Sequence, residues 1–194
     1  MAEPARKLTF TFAEYLARER MSEGKHEYVN GEIFAMAGGT PEHGLIAVNV
    51  ASVLRGQLVG RRCRVYNSDV RVRVQATGLA TYPDVSVVCG PLERDAEDEN
   101  SLLNPVVLVE VLSAGTEAYD RGEKFAHYQA IPTLREYVLV SYSRRRVEVL
   151  RRNEDGTWTL LDVRESGVAE LASVGCSLPL DEVYRGVFGE DEAS

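Results

Sequence analysis

Residues 106–112 read Val-Val-Leu-Val-Glu-Val-Leu, six aliphatic side chains around one carboxylate. So continuous an apolar run lacks the alternation of a half-wetted strand and reads as a strand covered on both faces. A chain that carries such a strand must lay structure against both sides of a sheet, which predicts an α/β (α+β) fold in which a mixed β-sheet is flanked by helices. The carboxylate sharpens the constraint. An unpaired buried Glu110 is costly, so it needs a partner, a proton or a cation.

The rest of the chain supplies elements for such a fold. Thr11 with Glu14 spells a capping box ahead of Phe12, Tyr15 and Leu16, a short first helix. Asn30-Gly31 between residues 26–29 and 32–36 signals a hairpin. Thr40-Pro41 opens a long helix to about residue 59, in which Leu45, Ile46, Val48, Val53, Leu54 and Leu58 recur at helical spacing. Strands are expected over 63–66, 70–74 and 84–88, then an acidic loop over 91–104. A helix over 117–130, ended by Pro132, precedes strands over 135–141, 147–151 and 158–163, and a short helix over 181–188 closes the pattern. These elements suggest one mixed sheet in one domain of 194 residues, with its core at about 9–165 and a polar acidic tail at about 189–194.

Asp84 complements Glu110. If the strands at 84–88 and 106–112 pair antiparallel with Val88 opposite Val106, Asp84 falls opposite Glu110. Like charges so placed repel, and a divalent cation between them reverses the sign. Mg²⁺ typically takes one or two carboxylates together with waters and substrate phosphate oxygens. Lys124 adds an amine: Asp120, Lys124 and Tyr128 recur at i, i+4 and i+8 on one helix face.

Composition narrows the chemistry. Cys63, Cys89 and Cys176 are widely spaced and odd in number, which argues against a disulfide framework and against structural zinc. With His26, His43 and His127 showing no zinc-type spacing, a hard, oxygen-liking ion is the expected metal. The net charge of −8 speaks against unaided tight DNA binding. Arginine nevertheless clusters at 61–64, 71–73, 144–146 and 151–152, and Asp69 alternates with Arg71 and Arg73, its expected partners. No apolar run reaches membrane-spanning length and residues 1–7 carry no apolar signal core, so a cytoplasmic protein is expected.

Pro83-Asp84, then Glu110-Val111-Leu112-Ser113, then Asp120, Lys124 and Tyr128 together resemble the Uma-type restriction-endonuclease family within the PD-(D/E)xK nuclease superfamily. The hairpin 27–32, the helix opening at Glu42-His43, Ser68-Asp69 and the segment 136–140 add to the resemblance, which covers roughly residues 9–150. It implies a restriction-endonuclease-like core. It further implies catalytic roles for Asp84, Glu110 and Lys124, with a Mg²⁺ or Mn²⁺ cofactor held by Asp84, Glu110 and the Val111 carbonyl. Glu27, Glu42 and His43 are accessory candidates. The wider superfamily places its lysine two residues after the acid, where this chain has Leu112, so Lys124 would supply the amine from the neighbouring helix.

The implied activity is metal-dependent hydrolysis of nucleic-acid phosphodiesters, DNA foremost. Cutting both strands of a duplex needs two sites, which makes a homodimer the expected assembly. The alternatives are a non-catalytic protein on the same fold that acts as a binding or interaction module, and a hydrolase of smaller phosphate esters.

Overall fold

A computed structural model describes residues 8–36 and 38–188, so the acidic tail expected at 189–194 lies outside the described residues. Helix α1 (Phe12–Glu19) starts at the expected capping box, with the Thr11 side chain and Glu14 bonded reciprocally. Strands β1 (His26–Val29) and β2 (Glu32–Ala35) form a hairpin in which Asn30 and Gly31 both adopt positive φ, as a tight primed turn requires. Helix α2 (Pro41–Leu58) is capped by Thr40 and buries Ile46, Val50, Leu54 and Leu58. Of its expected apolar positions, Leu45 and Val48 are exposed instead.

The chain continues through β3 (Cys63–Asn67), β4 (Arg71–Val74), β5 (Leu79–Thr81), β6 (Val85–Cys89), β7 (Ser101–Leu102) and β8 (Val107–Val111). Helices α3 (Glu117–Arg121) and α4 (Glu123–Tyr128) follow, then β9 (Glu136–Val140), β10 (Arg146–Arg152), β11 (Trp158–Arg164), β12 (Val168–Leu171), β13 (Cys176–Pro179) and α5 (Leu180–Val183). Where one helix was expected over 117–130 there are two. Gly122, at φ −113° and ψ −92°, interrupts the α-helical path between them. The closing helix is likewise shorter than the expected 181–188.

The strands do not form one sheet. Six lie in the order β11-β10-β9-β8-β6-β3, five in the order β2-β1-β5-β4-β7, and β12 pairs with β13 alone. Tyr82-Pro83 separates β5 in one sheet from β6 in the other. Proline has no N–H to give to a ladder, so pairing stops there and the chain changes sheets. Within the six-stranded sheet β8 runs parallel to β9 and antiparallel to β6, giving the mixed sheet of the sequence reading.

β8 is buried along its whole length, and its alternation divides the core. Val107, Val109 and Val111 join Ile46, Val50 and Leu54 of α2 on one face, with β12, β13 and α5 closing that layer. Leu108 and Leu112 join Tyr128, Leu134 and Tyr137 on the other face, where Val72, Val74 and Leu79 of the second sheet also pack. Glu110 shares the parity of Leu108 and Leu112, so the pleat directs it beneath α4.

Two side-chain expectations are corrected. Cys63 and Cys89, opposite each other across β3 and β6, form a disulfide. Wide sequence spacing hid a pair that the strand register brings together. Asp69 binds Lys25 at 2.8 Å, not Arg71 or Arg73, because Arg71 turns inward to Asp98 and Arg73 donates to the Leu79 carbonyl. Among the described residues no helix is long and apolar enough to cross a membrane.

Candidate active site

β6 and β8 pair with Val85 opposite Val109 and Val87 opposite Val107. Continued by one residue, that register sets Asp84 opposite Glu110, just beyond the paired end of β6. The Asp84 carboxylate is tied there by its own partner strand, accepting the Val111 backbone N–H at 2.7 Å through Oδ2. The same oxygen lies 3.3 Å from His43 Nε2, in the first turn of α2. The Thr40 cap, which fixes that turn, therefore also positions the imidazole.

On the Glu110 side, α4 supplies two contacts. The Tyr128 hydroxyl donates to Glu110 Oε1 at 2.7 Å, and Lys124 Nζ stands 2.9 Å from the same oxygen. Lys124 also reaches Glu27 Oε1 of β1 at 3.0 Å and Asp120 Oδ1 of α3 at 3.5 Å. Glu27 is held in turn by the Thr81 hydroxyl. The helix break at Gly122 leaves Asp120, Lys124 and Tyr128 turned to one centre, so their spacing is realised across two short helices.

The electrostatics follow from burial. Glu110, 5% exposed, has its pKa pushed up to about 8 by desolvation; Lys124 opposes that rise, and Asp84 and Asp120 add to it. Burial alone would lower the Lys124 pKa, but Glu110, Glu27 and Asp120 outweigh it and the ammonium is retained. Asp120 is raised by burial against the pull of Lys124. His43 is raised by its hydrogen bond to Asp84, which outweighs its desolvation, and the Val111 carbonyl assists. Tyr128 stays a neutral donor, since burial holds its pKa well above the ordinary range.

When all are ionised, four carboxylates (Glu27, Asp84, Glu110, Asp120) face one lysine. A largely buried centre with that excess suits a cation. The donors are hard oxygens, and both Glu110 contacts use Oε1 while both Asp84 contacts use Oδ2, so each carboxylate keeps a second oxygen outside those bonds. Among the described residues no three His, Cys, Asp or Glu side chains form a ready-made cage. Mg²⁺ does not need one, because it commonly completes its shell with water and substrate oxygens. The group set therefore fits a hard divalent ion.

The centre opens into a cavity of about 410 Å³ whose walls include Glu27, His43, Asp84, Glu110, Asp120 and Lys124. Of the residues singled out from the sequence, Asp84, Glu110, Val111, Lys124, Glu27 and His43 meet here. Glu42 does not line this cavity; it is exposed in the first turn of α2, its carboxyl held low by backbone and Thr40 hydrogen bonds. Asp120 and Tyr128, read from the sequence as helix-face neighbours of Lys124 and as part of the family-like pattern, contact Lys124 and Glu110 respectively here. Their i, i+4, i+8 spacing was the available signal.

Comparison with known proteins agrees with this architecture. The uncharacterized protein slr1290 of Synechocystis sp. is 41% identical over 174 residues, covering 90% of this chain and 90% of that one. A second Synechocystis protein, sll1609, is 31% identical over 153 residues, covering 79% of this chain and 86% of its own. The crystal structure of a "putative nuclease belonging to DUF820" from Anabaena variabilis shares the fold at a TM-score of 0.69, with 19% identity over 84% of this chain and 91% of that one. The profile of the Uma2 family, described as "Putative restriction endonuclease", matches residues 12–181, and the chain belongs to that family.

Proposed function

We propose that this protein is a divalent-metal-dependent nuclease that hydrolyses nucleic-acid phosphodiester bonds, DNA foremost. The observation that carries this reading is the opposition of Asp84 and Glu110 across neighbouring strands, with Lys124 Nζ 2.9 Å from Glu110 in the wall of an open cavity. Asp84, Glu110 and the Val111 carbonyl are the oxygen donors that would hold Mg²⁺ or Mn²⁺. When bound, such an ion supplies Lewis-acid activation of water and of a phosphate oxygen.

The remaining work falls to the chain's own groups. Lys124, held as an ammonium, compensates the negative charge that builds on phosphate oxygens as water adds to phosphorus and the bond to the leaving sugar oxygen breaks. Glu27 and Asp120 keep that ammonium charged and aimed. Tyr128 fixes the rotamer of Glu110, and His43 with the Val111 N–H fixes Asp84. A cytoplasmic protein would meet such a substrate directly, and a homodimer would supply the second site that a double-strand cut requires.

Purified protein is expected to cleave DNA in Mg²⁺ or Mn²⁺ and not in EDTA, with Asp84→Ala and Glu110→Ala each reducing the rate at least about a thousandfold, roughly 4 kcal/mol of transition-state stabilisation. Activity that survives both substitutions sinks the assignment. A second reading, a non-catalytic binding module, is favoured by one observation: Lys124 already pairs with three carboxylates and partly neutralises the centre. Mn²⁺ titration separates the two. The nuclease reading requires saturable binding that Glu110→Ala removes, and the module reading does not.

A further inference from the structure

The centre does not stand in an isolated pit. A neighbouring cavity of about 630 Å³ shares His43, Tyr82 and Asp84 with it, and another of about 420 Å³ shares Glu27, Phe34 and Tyr119. Their shared walls set the three side by side around the carboxylates, in the manner of a trough. Its charge is unusual for a surface that grips a duplex. Among the described residues the lysines and arginines in its walls are Lys25 and Lys124 alone, and both are already paired with carboxylates. Duplex affinity comes chiefly from neutralising many phosphates, and this trough has no free row of cations to do so.

It does have aromatic surface. β1 and β2 pair with Tyr28 opposite Ile33 and Glu27 opposite Phe34. Opposite residues point to the same face. Tyr28 and Ile33 therefore pack together toward α1, while Phe34 goes to the side on which Glu27 meets Lys124. Phe34 is 50% exposed and joins none of the described core clusters, so the fold does not need it there. Tyr119 lines the same two cavities as Phe34.

We propose that the trough takes an unpaired nucleic-acid strand, with one base laid against Phe34 and Tyr119 and the adjoining phosphate brought over Asp84, Glu110 and Lys124. This rests on the hydrolytic reading above and names its substrate class. Stacking on aromatic faces adds sequence-tolerant affinity for unpaired bases that a duplex, its bases already stacked on one another, cannot gain. One centre suffices to cut one strand, so no dimer is required.

The test is fluorescence anisotropy with labelled DNA and RNA strands of about 12 nucleotides and the matching duplex, measured in Ca²⁺ and again in EDTA. Either sugar bound about tenfold more tightly than duplex supports the proposal, provided Phe34→Ala weakens it about tenfold and Phe34→Trp restores it. The melting temperature of Phe34→Ala should match the wild type, since the side chain is half-exposed. Equal or tighter duplex binding, no strand binding, or indifference to Phe34→Ala overturns it. Duplex cleavage that needs Glu110 but ignores Phe34 leaves hydrolysis standing and removes the trough. Phe34-dependent strand binding with no cleavage in Mg²⁺ or Mn²⁺ does the reverse.

Discussion

Glu110 is the residue at which sequence, packing and chemistry meet. Its place in an aliphatic run demanded compensation, and the structure supplies Lys124 and Tyr128 on one oxygen. The compensation is incomplete, because burial still lifts the carboxyl to about 8 from an ordinary value of 4.5. A group whose folded pKa is raised contributes stability that is fully present below its unfolded pKa and is lost as pH rises through the folded one. The metal-free protein should therefore lose stability between about pH 4.5 and pH 8, by at most about 5 kcal/mol from this group. Urea titrations across that range should show a flatter profile for Glu110→Gln. An unchanged slope would assign the loss to other groups.

At the scale of elements, the pairing of β6 with its two neighbours decides the site. Against β8 it sets Asp84 opposite Glu110, and against β3 it sets Cys89 opposite Cys63. The disulfide closes a sequence separation of 26 residues, which in the chain-entropy account corresponds to about 3.5 kcal/mol. Dithiothreitol or Cys63→Ser should lower the denaturation midpoint by about that free energy, and a midpoint insensitive to reduction would refute a stabilising cross-link. In a reducing cytoplasm the pair would stand as two thiols, so the same measurement bears on where the protein works. The break between α3 and α4 shows the other side of element geometry. Gly122 departs from the helical path, yet Asp120 and Lys124 still come within 3.5 Å.

Over the whole molecule, the centre is assembled from both large sheets and three helices. β1 gives Glu27, the residue before β6 gives Asp84, β8 gives Glu110, α2 gives His43, α3 gives Asp120 and α4 gives Lys124. Such a centre exists only while all of them are docked, so the described residues are expected to unfold as one unit. Calorimetry should show a single unfolding transition, with calorimetric and van't Hoff enthalpies equal. Two separable transitions would divide the chain into independent units and would detach Glu27 from Glu110.

The sequence by itself determined what is local. The capping box of α1, the Thr40 cap, the Asn30-Gly31 turn and the aliphatic run around Glu110 are written in adjacent residues, and that apolar context alone made Glu110 the anchor of a candidate site. The sequence also offered an antiparallel register across the acidic loop at 91–104, and β6 and β8 pair in it. The tertiary structure decided what depends on distant segments: the division into two large sheets, the Cys63–Cys89 bridge, the Lys25–Asp69 pair and the arrival of Glu27 at Lys124. Side-chain period tells which face a residue takes, but not which strand will lie against it. For that reason the sequence could name Asp84, Glu110 and Lys124 and set Asp120 and Tyr128 on the helix face of Lys124, while only the fold brought Glu27 to Lys124, Tyr128 to Glu110 and His43 to Asp84.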